Sequence, residues 1–118
     1  IPPPPVPDAT SASLMTPTRI RVGWDVSTCP AGSYHLLHGT LQGVSSYIVS
    51  GAVCGIGALG SYDWNLFPAG DIWFLVVPGD TGATEGSWGT NSAGAQRKGA
   101  VASALCGFTA RDNSGTCP

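Results

Sequence analysis

The sequence predicts an all-β fold, a single β-sandwich of about seven strands preceded by an extended proline-rich arm. Short segments alternate apolar and polar residues, which is the pattern of strands with one buried face. Most of the 17 Gly residues lie at the ends of these segments or between them, and half of the 10 Pro residues lie in the arm. The 118-residue chain has 4 Trp and only 10% charged residues. Low charge with large apolar side chains favours collapse around one modest core over disorder.

The arm is predicted to comprise residues 1–10, and the sandwich residues 11–118. Five of the first seven residues are proline. Because proline fixes φ and lacks an amide donor, we expect an extended polyproline II path that acts as a spacer, a docking arm, or both. The Ser- and Thr-rich residues 10–18 are expected to form a flexible linker, with attachment of O-linked sugars as the alternative.

The core is expected to come mainly from two strands with clean alternation, residues 19–26 and 62–66. Their apolar residues recur at every second position, so they share one face of each strand. The predicted core residues are Ile20, Val22, Trp24, Val26, Tyr62, Trp64 and Leu66.

Further strands are predicted over residues 33–39, 44–49, 71–77 and 85–90. The glycine-rich residues 51–60 are expected to form a loop. Residues 95–105 contain several helix formers, and both a short helix and an irregular edge strand remain open for them.

The strand at residues 71–77 is apolar on both faces. Trp73 and Phe74 are neighbours and must point to opposite sides, so one of them lies outside the core. Such an apolar outer face usually has a partner or a covering segment. The predicted interface consists of the arm and this strand: Ile1, Pro2, Pro3, Pro4, Pro5, Val6, Pro7, Ile72, Trp73, Phe74 and Leu75.

Four cysteines, Cys29, Cys54, Cys106 and Cys117, predict two disulfides and therefore an extracellular or cell-surface location. No C-x-x-C motif supports a zinc site. Four cysteines allow three connectivities. The turn-rich residues 111–115 favour a Cys106–Cys117 bond, which leaves Cys29 to pair with Cys54.

Charge and hydropathy argue against two classes of partner. Five basic residues and a net charge of −2 provide no electrostatic footprint for nucleic acid. No apolar run approaches the roughly 20 residues of a membrane span, so membrane insertion is not expected.

Catalytic and metal-binding motifs are not recognisable in the sequence. The string Gly86-Ser87-Trp88-Gly89 has the wrong spacing for a nucleophile elbow. On a strand, His35 and His38 lie on opposite faces and cannot act as a pair. The loop at residues 80–85 offers few of the six to eight oxygens that calcium requires, so it is interpreted as an ordinary turn. We therefore expect no enzyme, no catalytic residue, no metal and no cofactor.

Trp24, Tyr34 and the Leu-Phe-Pro-Ala-Gly-Asp-Ile-Trp stretch at residues 66–73 resemble a fibronectin type III domain. That family has a core Trp in its second strand, a Tyr in its third, and a Leu-x-Pro-Gly turn before a strand that opens with an aromatic residue. Here the turn is one residue longer. Trp73 stands where the family usually has Tyr, so the hydroxyl of the tyrosine corner is missing.

Three further segments, Tyr-His-Leu-Leu-His-Gly, Gly-Ala-Val-Cys-Gly and Glu-Gly-Ser-Trp-Gly-Thr, resemble a cysteine-bearing version found in large bacterial surface or secreted proteins. The resemblance covers residues 12–90, and the Cys106–Cys117 tail goes with this bacterial version. It implies an immunoglobulin-like sandwich used as an extracellular spacer, adhesion or assembly module, with no catalytic residues to carry over.

Two functions are expected from these observations. The first is a non-catalytic structural or adhesive module, a repeating building block of a surface filament or tandem array, with the arm docking on a neighbouring copy. The alternative is a carbohydrate-binding accessory module of a secreted enzyme. The expected partners are copies of the chain or neighbouring domains, and carbohydrate in the alternative.

Overall fold

The computed structural model describes residues 3–7, 10–27, 30–65 and 67–115. These residues are mostly β, as predicted, and they form two sheets and one short 3-10 helix, Leu41–Ser46. In chain order the strands are β1 (Ser11–Thr16), β2 (Arg19–Gly23), β3 (Ser33–Thr40), β4 (Gly51–Val53), β5 (Ser61–Asn65), β6 (Ile72–Gly79), β7 (Thr84–Glu85) and β8 (Ala110–Arg111).

The first sheet has the strand order β1-β2-β5 and is antiparallel throughout. The second has the order β4-β3-β6-β7-β8, in which β7 and β8 pair in parallel. The longest ladder joins β3 to β6, from Ser33 opposite Gly79 to Thr40 opposite Ile72. These two strands therefore form the centre of the second sheet.

The inner core lies between the two sheets and takes side chains from both. Its buried members are Val22, Trp24, Tyr34, Leu36, Ile56, Trp64 and Val76. Of the predicted core, Val22, Trp24 and Trp64 are buried here, whereas Ile20, Val26 and Tyr62 are half-buried and pack against it. Leu66 lies outside the described residues.

A second cluster covers the other face of β3 and β6. Its buried members are Leu37, Val77 and Trp88. We call it the outer cluster; the half-buried residues packed against it are Val6, Tyr47, Val49, Ala52, Leu75 and Leu105. The apolar outer face of β6 is thus covered by segments of the same chain.

Local structure differs from the sequence prediction in several places. The expected strand at residues 44–49 is wrong, because the helix Leu41–Ser46 occupies its first half and Tyr47 then turns in the left-handed region, with φ of 52°. The strand next to β3 is instead β4, which lay in the expected loop. The last predicted strand is reduced to Thr84–Glu85, and residues 95–105 form turns and irregular backbone.

The expected linker is strand β1, all six residues of which are exposed. It is held by its backbone ladder with β2, from Ser11 opposite Gly23 to Thr16 opposite Arg19. A strand with no buried face has no hydrophobic alternation, and this is why the sequence did not predict it.

The disulfide that the structure describes joins Cys54 to Cys106. The predicted pairings of Cys54 with Cys29 and of Cys106 with Cys117 are therefore wrong. The reason is that tertiary structure, and not closeness in sequence, brings the two cysteines together. Cys54 follows β4, and the chain beyond β7 places Cys106 at a Cα–Cα distance of 5.4 Å from it, although 52 positions separate them in sequence. Cys29 and Cys117 lie outside the described residues.

Candidate interaction site

The described part of the arm, residues 3–7, lies against the body of its own chain. Pro3, Pro4 and Pro7 are buried, and Pro5 and Val6 are half-buried. The predicted interface residues Ile1 and Pro2 lie outside the described residues.

Only Val6 among residues 3–7 has a backbone N–H, since the other four residues are proline. This N–H donates to the carbonyl of Ser87 at 3.0 Å. At the end of the segment, the Thr10 hydroxyl donates to the Pro7 carbonyl at 3.0 Å. The arm is therefore held by one backbone hydrogen bond to the body and by apolar contact.

Glycines make this close approach feasible. A Cβ atom built on Gly86 would overlap the carbonyl of Pro4, and one built on Gly115 would overlap the carbonyl of Pro3. We define the arm groove by the residues that face the arm, namely Gly86, Ser87, Gly89, Arg97 and Gly115. Side chains at the two closest approaches would displace the arm, which gives these glycines a role specific to arm binding.

Arginine side chains brace the wall of the groove. The Arg97 guanidinium donates to the Trp88 carbonyl at 3.1 Å, and the backbone N–H of Arg97 donates to the Gly89 carbonyl at 2.9 Å. Arg111 lies over the Trp88 ring at 4.8 Å and donates to the Arg97 carbonyl. Burial lowers the pKa of Arg111, and the nearby Glu85 opposes this change. The wall is thus fixed by hydrogen bonds to backbone carbonyls.

A buried polar pair lies directly behind the groove. His35 Nε2 and Glu85 Oε2 are 2.8 Å apart, and their side chains are 1% and 0% exposed. Glu85 also accepts from the N–H and hydroxyl of Ser103, and the His35 ring stacks on Phe108 at 4.3 Å. The pair and its neighbours thus connect β3, β7 and the segment around Ser103 through buried contacts.

The predicted interface residues on β6 divide between the two clusters. Ile72 and Phe74 pack against the inner core, whereas Leu75 packs against the outer cluster together with Val6. Val6 and Pro7 of the arm line one small cavity together with Phe74 and Leu75, so the structure brings this part of the predicted interface together. Trp73 is buried, at 9% exposure.

Arg97 lines three cavities of the described surface, of which two are distinctly larger than the third. One of about 460 Å³ lies beside the arm, and one of about 430 Å³ lies between the helix Leu41–Ser46 and β6. The second is lined by Val44, Tyr47, Trp73, Phe74, Leu75 and Arg97, among others. It is the most aromatic surface depression near the predicted interface.

Aromatic side chains do not form an exposed platform. All 4 Trp, 3 Tyr and 3 Phe residues belong to the described part of the chain, and each is buried or half-buried. Only half-buried side chains therefore present aromatic ring surface to solvent.

The candidate metal loop is a turn. Asp80 Oδ1 accepts from the N–H of Gly82 at 2.8 Å and of Thr84 at 3.2 Å. Among residues 3–7, 10–27, 30–65 and 67–115, no group of three or more His, Cys, Asp or Glu side chains could hold a metal. In the same ranges no helix is long and apolar enough to cross a membrane.

The two histidines lie in different surroundings. His35 is buried beside Glu85, and His38 lies 5.3 Å from the Trp64 ring. Burial lowers the pKa of His38.

Sequence reasoning missed the groove glycines and the partner of His35. The sequence predicts Glu85 and Gly86 at the start of a strand, and nothing in that pattern indicates a buried partner of His35 or a close approach of the arm. Comparison with protein families found no match, and comparisons with curated proteins and with solved structures found none either.

Proposed function

We propose that the chain is a non-catalytic extracellular structural module, a repeating building block of a surface filament or tandem array, whose arm docks on a neighbouring copy. The observation that carries the proposal is the arm groove. A short proline segment is bound in a depression whose glycines, Gly86 and Gly115, leave room for its backbone. Binding of this segment is the most specific recognition feature of the described surface.

The strand order supports a sandwich of the fibronectin type III kind. If β1 to β7 are matched in sequence to strands A, B, C, C′, E, F and G of an immunoglobulin-like sandwich, the first sheet becomes A-B-E and the second C′-C-F-G, with β8 added in parallel beside G. Trp24 and Tyr34 lie in the inner core with ring centroids 5.5 Å apart, which agrees with the resemblance in sequence. By analogy of fold, this resemblance implies a spacer or assembly unit.

An extracellular location is supported by the Cys54–Cys106 disulfide, since such bonds persist in oxidising compartments. A charged content of 10% also leaves few groups to repel an approaching copy.

The arm is suited to docking between copies. Proline restricts the free segment, so ordering it forfeits less conformational entropy than ordering an ordinary tail. The arm and the groove are different surfaces, so a contact between two copies is head-to-tail. Such contacts generate rings or open filaments.

The carbohydrate-binding alternative has weaker support. Sugar-binding surfaces that work by stacking need exposed rings, and the ten aromatic side chains are buried or half-buried. In this alternative, the candidate sugar-binding site is the cavity lined in part by Tyr47 and Trp73.

The proposal is tested by measuring the mass of the full chain by light scattering over a range of concentrations, with electron microscopy of any assemblies. We expect assemblies from the full chain and monomers after deletion of residues 1–7. The control Leu59→Ala, which removes a 90% exposed apolar side chain elsewhere, should assemble normally. A full chain that stays monomeric at high concentration, or a truncated chain that assembles equally well, contradicts the proposal.

A further inference from the structure

We infer that the arm groove is an exchange site, from which a chain's own arm departs so that the arm of a second copy can enter. This inference rests on the proposed function and identifies both the receptor and the occupant. The receptor is the groove, with Gly86 and Gly115 at its closest contacts, and the occupant is residues 3–7 of another chain.

The groove selects an arm of this sequence. The carbonyls of Pro3 and Pro4 lie where side chains at Gly115 and Gly86 would otherwise be. Val6 supplies the one N–H that residues 3–7 can donate, and it bonds to Ser87. Because an identical copy has an identical arm, every one of these contacts can form between two chains as well as within one.

The arm can leave without dismantling the fold. No strand ladder in the described residues includes residues 3–7, and β1, which follows the arm, is held by β2. Withdrawal exposes three buried prolines and part of the outer cluster around Val6, and it breaks the hydrogen bond to Ser87. Both sheets keep their pairing.

The single chain is therefore self-capped. Its groove is filled by its own arm, and a neighbour can dock only after that arm has been released. Exchange conserves the contacts, so concentration decides between the closed and the exchanged form. Each chain has one arm and one groove. In an open exchanged assembly, the chain at one end therefore keeps an undocked arm, and the chain at the other end keeps an empty groove.

Two full-length variants test the arm and the groove separately. Gly86→Ala keeps the arm but places a Cβ atom against the Pro4 carbonyl, which blocks the groove. Val6→Asp keeps the groove but puts a charge on the arm residue that packs on the outer cluster. Each variant alone should remain monomeric in light scattering and native mass spectrometry. An equimolar mixture should form a 1:1 pair that grows no further.

Matched controls are available for both changes. At Gly82, a Cβ atom would lie 3.4 Å from Asp80 Oδ1, an ordinary contact, so Gly82→Ala should assemble like the parent. Leu59→Asp places the same charge at a 90% exposed position and should also assemble. If Gly86→Ala does not fold, Gly115→Ala replaces it, because it blocks the arm at Pro3.

A second measurement titrates a peptide of residues 1–10 into Val6→Asp and follows tryptophan fluorescence. We expect saturable binding that the additional change Gly86→Ala weakens at least tenfold. Absence of binding overturns the inference. The inference is also overturned if the Gly86→Ala chain assembles like the parent. It is overturned as well if the parent assembles through its arm but the equimolar mixture of the two variants stays monomeric. In the last two cases the arm docks elsewhere and the proposed function survives.

Discussion

His35 Nε2 lies 2.8 Å from Glu85 Oε2, and this pair is closed off from solvent between β3 and β7. Glu85 adds two contacts to Ser103, so one carboxyl group connects the second sheet to the chain beyond Trp88. The residue that follows Glu85 is Gly86, which lies at one of the two closest approaches of the arm. The pair therefore fixes the position of the strand that leads into the arm groove.

Removal of the Glu85 carboxyl should be strongly destabilising. Glu85→Ala leaves the imidazole of His35 and two donors of Ser103 without their acceptor in a buried site, and we expect a loss of about 3–5 kcal/mol in the free energy of unfolding. Glu85→Gln retains an acceptor oxygen and should lose less. Urea unfolding followed by tryptophan fluorescence measures both, and a Glu85→Ala loss below about 1 kcal/mol would contradict this role.

The Cys54–Cys106 bond should dominate the covalent stabilisation of the described chain. It closes a loop with a sequence separation of 52, which in the chain-entropy model corresponds to about 4 kcal/mol. The double variant Cys54→Ser/Cys106→Ser should lose stability on this scale in urea unfolding.

Peptide mapping of the non-reduced protein at acid pH checks the connectivity itself. We expect one peptide pair that joins Cys54 to Cys106. The same map identifies the partner of Cys29, for which Cys117 is then the one intramolecular partner left. A Cys54 peptide linked to Cys29 would overturn the described pairing.

Alternation of apolar and polar residues correctly predicted strands that have one buried face and one more exposed face. Alternation placed the start of β2 at Arg19 and of β3 at Ser33, where the structure has them. The strand predicted over residues 44–49 is wrong, because β4 takes the place beside β3 and the helix Leu41–Ser46 forms before it. Pairing between distant strands decides such cases, and a local pattern does not contain it.

The site was predicted only in part for a related reason. The proline content indicated a segment that docks by apolar contact, and Val6 and Leu75 do pack on one cluster. The acceptor glycines could not be predicted, because a glycine required by a close approach looks the same in sequence as a glycine in a turn. The partner of His35 lies 50 positions away in sequence.

The stability of the fold should depend on pH through His38. Its half-buried ring lies beside Trp64, and burial lowers its pKa below the ordinary value of 6.5. The unfolded chain then binds a proton at a higher pH than the folded chain does. The stabilisation is complete above about pH 6.5 and declines as the pH falls below it.

Urea unfolding of the parent and of His38→Gln between pH 5 and pH 8 tests this. The parent should lose more stability than the variant between pH 7 and pH 5. Asp63, whose pKa is lowered by its hydrogen bond to Arg21, acts in a separate window below its ordinary value of 3.8. Parallel pH profiles for the two proteins would show that His38 contributes nothing.

Arg111 should be irreplaceable by lysine. Its guanidinium donates to Asn113 Oδ1 at 2.9 Å, to the Val101 carbonyl at 3.0 Å and to the Arg97 carbonyl, and it lies over the Trp88 ring. A lysine ammonium cannot reach these three acceptors in the same planar arrangement. We expect Arg111→Lys to lose about 2 kcal/mol of stability.

Because Arg111 supports the segment that carries Arg97, the same variant should also weaken binding of the arm. Urea unfolding gives the first effect, and titration of Val6→Asp/Arg111→Lys with a peptide of residues 1–10 gives the second. Lys98→Arg is the control, since its ammonium donates to the exposed Tyr47 carbonyl away from the arm. If Arg111→Lys unfolds within about 0.5 kcal/mol of the parent and the peptide binds unchanged, the wall of the groove does not depend on the guanidinium.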